Sequence, residues 1–112
     1  MTTRVWIAYE PLVFREALVK VLGQLDTVEI IEDAGNGVDV GVFRLAETGM
    51  LQDFFRHLPL PQAKLIVFSA HGDRAFIRQP GGTSWREKQP FGMPQLMAEV
   101  LLTPVRVRGT QK

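Results

Sequence analysis

The sequence feature that most constrains the fold is the apolar run Leu65-Ile66-Val67-Phe68, which Lys64 precedes and Ser69-Ala70 follows. An uninterrupted run of large apolar residues with this length predicts a strand that is buried on both faces. Such strands are typical of parallel sheets whose two faces are covered by helices. The chain is therefore expected to alternate strands with helices in an α/β fold.

Further apolar segments fit this alternation. Short β-branched or alternating segments predict three more strands, at residues 4–8, 28–31 and 38–45. Apolar stripes at helical spacing predict helices within residues 11–25, 51–58 and 94–102. Residues 83–88 are polar for a strand and predict an edge strand, and residues 74–79 predict at most a short helix. This order predicts an open parallel sheet that helices cover on both sides.

The connection between the second and third predicted strands is short. It spans residues 32–39 and shows no helical stripe of its own, whereas a parallel return normally takes about a dozen residues or more. We favour a loop crossover, because eight extended residues span up to ~28 Å, which is long enough to recross a four-residue strand. The rival is a hairpin through Asn36-Gly37, a dipeptide typical of two-residue turns.

Composition excludes several classes of protein. The chain has 112 residues, enough for one domain, and no cysteine, which excludes disulfides, thiolate metal sites and cysteine nucleophiles. The net charge of +1 gives no strong electrostatic footprint for nucleic acid or an anionic membrane. No apolar run approaches the roughly 20 residues of a membrane helix, and the first residues lack the pattern of a signal peptide. We expect a cytoplasmic domain over residues 1–104, followed by a flexible basic tail over residues 105–112.

Several motifs occur in the order found in one signalling family. Residues 7–18, Ile-Ala-Tyr-Glu-Pro-Leu-Val-Phe-Arg-Glu-Ala-Leu, resemble the opening strand and helix of response-regulator receiver domains, especially those of LuxR-type regulators. Residues 28–37 are similar to the second strand and the start of the second helix of that family, and residues 65–73 to its fourth strand. Residues 85–96 are similar to its fifth strand, Lys-Pro turn and final helix. The resemblance covers nearly the whole chain. It implies a flavodoxin-like open parallel sheet of about five strands in the order 2-1-3-4-5, here with the second crossover helix shortened or missing.

The site residues implied by this resemblance depart from the family pattern. Receivers hold Mg²⁺ with carboxylates, and the aspartate that ends the third strand accepts a phosphoryl group. Here the acidic pair reads Tyr9-Glu10, and Arg44 stands at the phosphoacceptor position. A guanidinium stays protonated and has no lone pair to offer, so it can neither accept phosphate nor ligate a cation. Ser69 fits the position of the switch hydroxyl, and either Lys88 or Gln89 takes that of the conserved lysine.

A second alignment changes these assignments. Residues 38–47 would form the missing second helix and residues 50–55 the third strand, which places Asp53 or Arg56 near the phosphoacceptor position. In that alignment the chain would be a conventional Mg²⁺-dependent phosphoacceptor. The helical spacing of residues 51–58 and the valine alternation upstream argue against it.

Metal binding receives little support from the sequence. His57 and His71 lack a third ligand, and two isolated histidines do not make a metal site. Glu10, Asp33 and Glu47 are the carboxylates that could assemble a degenerate cation site. We expect no cofactor, with Mg²⁺ required only by the second alignment.

The expected function is that of a pseudo-receiver. The chain would be no enzyme and would act by binding another signalling protein or itself, without contact to nucleic acid or membrane. Arg44 is expected to pair with Glu10 and hold the pocket in one state. The surface by which receivers pair implies a partner-binding face that contains Ile77, Trp85, Phe91, Leu96 and Met97.

Overall fold

The computed structural model describes residues 2–8, 12–32, 37–45, 62–69 and 73–103. These residues form an open six-stranded mixed sheet with two helices, in the strand order β2-β1-β3-β4-β5-β6. The elements in chain order are β1 (Thr3–Ala8), α1 (Leu12–Leu22), β2 (Val28–Ile31), β3 (Val40–Arg44), β4 (Lys64–Phe68), β5 (Ala75–Arg78), β6 (Arg86–Lys88) and α2 (Met93–Leu101). The predicted α/β class is confirmed.

The first four strands form the parallel part of the sheet. β1 pairs in parallel with both β2 and β3, and β3 pairs in parallel with β4. Because β2 and β3 lie on opposite sides of β1 and run the same way, the chain crosses β1 between them. The crossover is therefore confirmed and the hairpin through Asn36-Gly37 is wrong. Residues 40–44 form a strand, so the helix over residues 38–47 in the second alignment is also wrong.

The last two strands run differently from the prediction. β5 pairs antiparallel with β4, and β6 pairs antiparallel with β5. The short helix predicted over residues 74–79 is wrong, because Ser69 donates its backbone N–H to the carbonyl of Arg74 at 3.0 Å and closes a short reversal of the chain. A connection this short returns a strand antiparallel to its neighbour. The predicted fifth strand exists as β6 and occupies the edge, so the sheet has six strands, not five parallel ones.

A tight turn leads from β5 toward the edge strand. Gly82 donates its N–H to the carbonyl of Gln79 at 2.9 Å, and Gly81 has a φ of +74°. Proline at the second position and a left-handed glycine at the third are the signature of a type II turn. β6 itself is short and reads Arg-Glu-Lys, a composition that discourages pairing with other chains.

Both described helices cover the same face of the sheet. Leu18 and Leu22 of α1 and Leu96 and Val100 of α2 share one buried cluster with alternate strand residues, which include Val5, Ile7, Val42 and Ile66. The opposite face carries a second buried cluster around Phe43, Leu65 and Val67. The helix predicted over residues 51–58 lies outside the described residues, as does the tail over residues 105–112.

Helix α2 begins where the sequence predicts. Gly92 donates its backbone N–H to the Gln95 side chain at 2.8 Å and accepts the N–H of Leu96 at 3.0 Å. Pro94 sits in the first turn, where its missing N–H costs no hydrogen bond. In the described part of the chain, no helix is long and apolar enough to span a membrane.

Candidate functional site

The candidate site lies at the carboxyl ends of the parallel strands, where open α/β sheets bind their ligands. β3 ends at Arg44 and β4 ends at Phe68, and these two residues are register partners. Leu45 donates its N–H to the carbonyl of Phe68 at 2.9 Å, which extends the pairing by one residue. Tyr9 and Glu10 follow β1 in the sequence and lie outside the described residues.

Arg44 ends the central strand and is partly buried. Its side chain leaves on the helix-covered face, because Val40 and Val42 at alternate positions belong to the cluster beneath α1 and α2. The end of this strand therefore presents a guanidinium, which can donate hydrogen bonds and accept none. The expected ion pair between Arg44 and Glu10 stays a prediction.

Ser69 directly follows β4, and its side chain forms a hydrogen bond to a residue that precedes β5. It is buried, and its hydroxyl donates to a carboxylate oxygen of Asp73 at 2.9 Å. The backbone carbonyl of Asp73 accepts a hydrogen bond from the N–H of Phe91 at 3.1 Å. Asp73 therefore links the end of β4 to the residues that precede α2. The hydroxyl that resembles a phosphate-binding switch thus has a structural partner.

We expect Ser69→Ala to lower the free energy of unfolding by about 1.5 kcal/mol, because a hydrogen bond to a carboxylate contributes about 1.5–3 kcal/mol and Asp73 is exposed enough to regain water. Urea denaturation at pH 7 measures this loss. Ser84→Ala is the control, since Ser84 is exposed and should give a change within about 0.5 kcal/mol. Equal stability of Ser69→Ala and the wild type would contradict a structural role for the hydroxyl.

Lys88 belongs to a network of ion pairs between α2 and the sheet. Its ammonium group forms a short ion pair with one carboxylate oxygen of Glu99. Lys64 forms an ion pair with the other oxygen at 2.6 Å and donates a second hydrogen bond, at 3.0 Å, to the Glu99 carbonyl. The Thr103 hydroxyl also donates to that carbonyl at 2.9 Å. One helical residue therefore joins the first residue of β4 to the last residue of β6.

The network keeps its central carboxylate ionised. Burial raises the pKa of the Glu99 carboxyl, but the hydrogen bonds and charges of Lys64 and Lys88 lower it by more. The resulting pKa lies below the ordinary glutamate value of 4.5. Only 6% of the Glu99 side chain and 3% of the Lys64 side chain are exposed, so solvent screens this pair weakly.

Two further charged residues are buried, and no pattern in the sequence predicts their burial. The alternation of valines predicts Asp39 as an outward polar residue of a strand, yet its side chain is buried and accepts the N–H of Arg4 at 2.9 Å. Arg78 is buried and donates to the carbonyl of Ala63 at 3.0 Å, and burial lowers the pKa of its guanidinium. Both side chains hold backbone groups near the amino ends of the central strands, away from Arg44.

The predicted partner-binding face needs a correction. Ile77, Phe91 and Leu96 are buried in the cluster beneath the helices, so they pack the core and are not presented to a partner. Met97 is partly buried against the same cluster, and Trp85 is partly buried against the cluster on the opposite face. The five residues therefore do not form one surface, because three of them are buried and Trp85 packs on the opposite face of the sheet from Met97.

An apolar groove opens between the starts of the two helices. It has a volume of about 220 Å³ and is lined by Phe14, Ala17, Leu18, Phe68, Phe91, Gly92 and Met93. The Phe68 and Phe91 rings meet edge to face at its base, with centroids 5.4 Å apart. The groove lies at the same edge of the sheet as Arg44, since Phe68 is the register partner of that residue. The sequence indicated these apolar residues as core and did not indicate a groove.

The described residues contain no group of three or more histidine, aspartate or glutamate side chains that could hold a metal ion. The carboxylates proposed from the sequence for a degenerate cation site, Glu10, Asp33 and Glu47, lie outside the described residues, and so do His57 and His71. The cation site stays a prediction.

Comparison with known proteins adds no assignment. No protein-family model matches this chain, and neither the curated proteins nor the solved structures contain a significant match.

Proposed function

We propose that this chain is a pseudo-receiver, a non-enzymatic signalling module that acts by binding protein and is not phosphorylated on aspartate. The observation that carries the proposal is Arg44 at the carboxyl end of the central strand β3. A receiver carries its phosphoacceptor carboxylate at the corresponding strand end, and a guanidinium cannot serve as a nucleophile.

The strand order supports this proposal. The parallel strands follow the order β2-β1-β3-β4, as the resemblance to receivers implies, and an antiparallel pair extends the sheet where a receiver has its fifth strand. In this interpretation the fold is a flavodoxin-like variant. The strand assignment of residues 40–44 also removes the helix on which the phosphoacceptor alignment depends.

The contacts that Ser69 and Lys88 already make give further support to the proposal. A phosphorylated receiver needs a hydroxyl and an ammonium group to bind the phosphate. Here Ser69 donates to Asp73, and Lys88 pairs with Glu99. Both contacts would have to break before these two side chains could bind a phosphoryl group. The pocket is therefore suited to one fixed state.

The partner in this proposal is another signalling protein or a second copy of the chain. Nucleic acid is a poor candidate because the net charge is +1 and no basic patch is evident in the sequence. A cytoplasmic location is part of this proposal, since a chain without cysteine forms no disulfide and suits a reducing compartment.

Phosphoryl transfer is the test of this proposal. We expect incubation with acetyl phosphate and Mg²⁺ to leave the intact mass unchanged, and beryllofluoride with Mg²⁺ to leave the tryptophan fluorescence unchanged. A conventional receiver treated in parallel shows that the reagents are active. A mass gain of one phosphoryl group would overturn the proposal, and loss of that gain in Asp53→Asn would identify Asp53 as the acceptor.

A further inference from the structure

The apolar groove between the helices lies over the end of the central strand. Its described lining comes from α1 on one side, and from Phe68 of β4 and the start of α2 on the other. In the sheet, β3 lies between β1 and β4, and α1 packs on β1 and β2. The groove therefore spans the carboxyl end of β3, where Arg44 is the last residue of the strand.

Arg44 adjoins the groove. It is the register partner of Phe68, and neighbouring strands lie about 4.8 Å apart. Both side chains leave on the helix-covered face, because Val42 and Ile66, two residues before them, belong to the cluster beneath the helices together with Phe68. The partly buried guanidinium therefore stands beside a ring that lines the groove. An apolar wall and a positively charged group meet at this edge of the sheet.

The starts of the two helices add to the positive potential at this edge. The amino end of a helix carries a positive partial charge, and Gly92 and Met93 at the start of α2 line the groove. Neither helix has an acidic residue in its first turn, where aspartate or glutamate would offset this charge. The described lining residues are themselves uncharged. The groove therefore favours an anion with a single negative charge, which one guanidinium balances.

The size and the rings of the groove indicate the body of that anion. An apolar cavity of about 150 Å³ binds one benzene molecule. This groove measures about 220 Å³, so it fits a body of two fused rings. Phe14 flanks the groove, and the rings of Phe68 and Phe91 meet edge to face at its base. Aromatic rings pack favourably against such walls in edge-to-face or offset arrangements.

We propose that the chain binds a small aromatic monocarboxylate in this groove. The rings of the ligand lie against the three phenylalanines, and its carboxylate accepts two hydrogen bonds from Arg44. A guanidinium has five N–H donors, so Arg44 can bind the ligand with two of them and keep contacts within the protein with the others. Such binding needs neither phosphoryl transfer nor a partner protein, so the ligand site does not depend on the pseudo-receiver proposal.

Isothermal titration calorimetry of the full chain with 2-naphthoate at pH 7 tests the site. We expect saturable binding at one site. 2-Naphthamide has the same rings without the charge and should bind at least about tenfold more weakly, because it loses the hydrogen bonds between two charged groups. This comparison uses the wild-type chain, so it decides the role of the charge whether or not variants of Arg44 fold.

Removing the guanidinium tests which residue binds the carboxylate. Arg44→Gln should weaken the binding of 2-naphthoate at least about tenfold and change that of 2-naphthamide less than about twofold. Arg86→Gln removes the same charge from the exposed edge strand β6, three strands away from β3, and should change either affinity less than about twofold. Circular dichroism of each variant shows whether the fold is retained.

Filling the groove tests where the rings bind. Ala17 lines the groove and is exposed, so Ala17→Trp should occupy the groove without disturbing the core and weaken the binding of 2-naphthoate at least about tenfold. Ala98→Trp adds the same side chain at an exposed position of α2 that is not among the described lining residues, and should change the affinity less than about twofold.

Four results would overturn the proposal: no saturable binding of 2-naphthoate by the wild type, equal affinities for 2-naphthoate and 2-naphthamide, or unchanged binding of 2-naphthoate in a folded Arg44→Gln or Ala17→Trp chain. None of these measurements uses a phosphoryl donor or a partner protein. Failure of the ligand site is therefore distinguishable from failure of the pseudo-receiver proposal.

Discussion

Replacing Glu99 by glutamine should lower the free energy of unfolding by about 3 kcal/mol at pH 7, the lower end of the cost of breaking a buried ion pair. The variant keeps the shape of the side chain and removes its charge. Lys64 is then left with a buried ammonium group and no counter-ion at the 2.6 Å contact. Urea denaturation followed by circular dichroism measures the loss.

Two controls separate the charge from the packing. The double variant Lys64→Met with Glu99→Leu removes both buried charges and should be more stable than Glu99→Gln, since an apolar pair of similar volume often replaces a buried ion pair without loss. Lys88→Ala should cost less than about 1 kcal/mol, because 42% of the Lys88 side chain is exposed and water screens its pair. If Glu99→Gln proves as stable as the wild type, the buried network contributes no stability.

Comparing the stability of the wild type with that of Glu99→Gln as a function of pH identifies the titrating group. The pKa of Glu99 is lowered in the folded chain, so its contribution to stability is complete above the ordinary value of 4.5 and is lost as the pH falls through the folded pKa. Glu99→Gln cannot titrate at this position. The stability difference between the wild type and the variant should therefore shrink below pH 4.5, and a difference independent of pH would contradict the network.

The sequence predicted most of the described fold because local periodicity reports which side of an element is buried. β1, β2, β3 and β4 carry short apolar or alternating patterns, and α1 and α2 carry helical stripes. The pattern failed at residues 74–79, where Ala75 and Ile77 alternate with Phe76 and Arg78 over four residues only. So short a segment is ambiguous, and its pairing with β4 depends on the reversal between Ser69 and Arg74.

The charged interior could not be read from the sequence for a different reason. Lys64 and Glu99 are 35 residues apart, and each looks like an ordinary surface residue in its own segment. Burial of one is favourable only where the fold supplies the other, which is a property of tertiary structure and has no local signal. The same holds for Lys88, which the resemblance gives as one of two candidates, with Gln89, for the conserved lysine and which the structure pairs with Glu99.

The candidate site was predicted in part. Arg44 was expected to end the central strand, and it does. Ser69 was expected after β4, and its hydroxyl has the structural partner that is common for such a position. Leu96 and Met97 lie in the predicted final helix, whereas Ile77 lies in β5, where a short helix was predicted. Which of these residues face outward depends on how the elements pack. An apolar stripe predicts that a helix has one apolar side. It does not determine which residues of that side contact the sheet.

Leu96→Ala should lower the free energy of unfolding by about 3 kcal/mol, because removing a fully buried leucine loses transfer free energy and leaves a cavity. Leu96 is completely buried between α2 and the sheet, beside Phe91 and Val100. Urea denaturation at pH 7, followed by circular dichroism, measures this cost.

Phe14→Ala is the matched comparison, since it removes a larger apolar side chain from the exposed side of the helical layer. Its cost should stay below about 1 kcal/mol, because Phe14 is 55% exposed and truncation there leaves no enclosed cavity. The larger side chain is therefore expected to contribute less to stability than the buried leucine. A cost of Leu96→Ala no larger than that of Phe14→Ala would contradict the burial of Leu96 between α2 and the sheet.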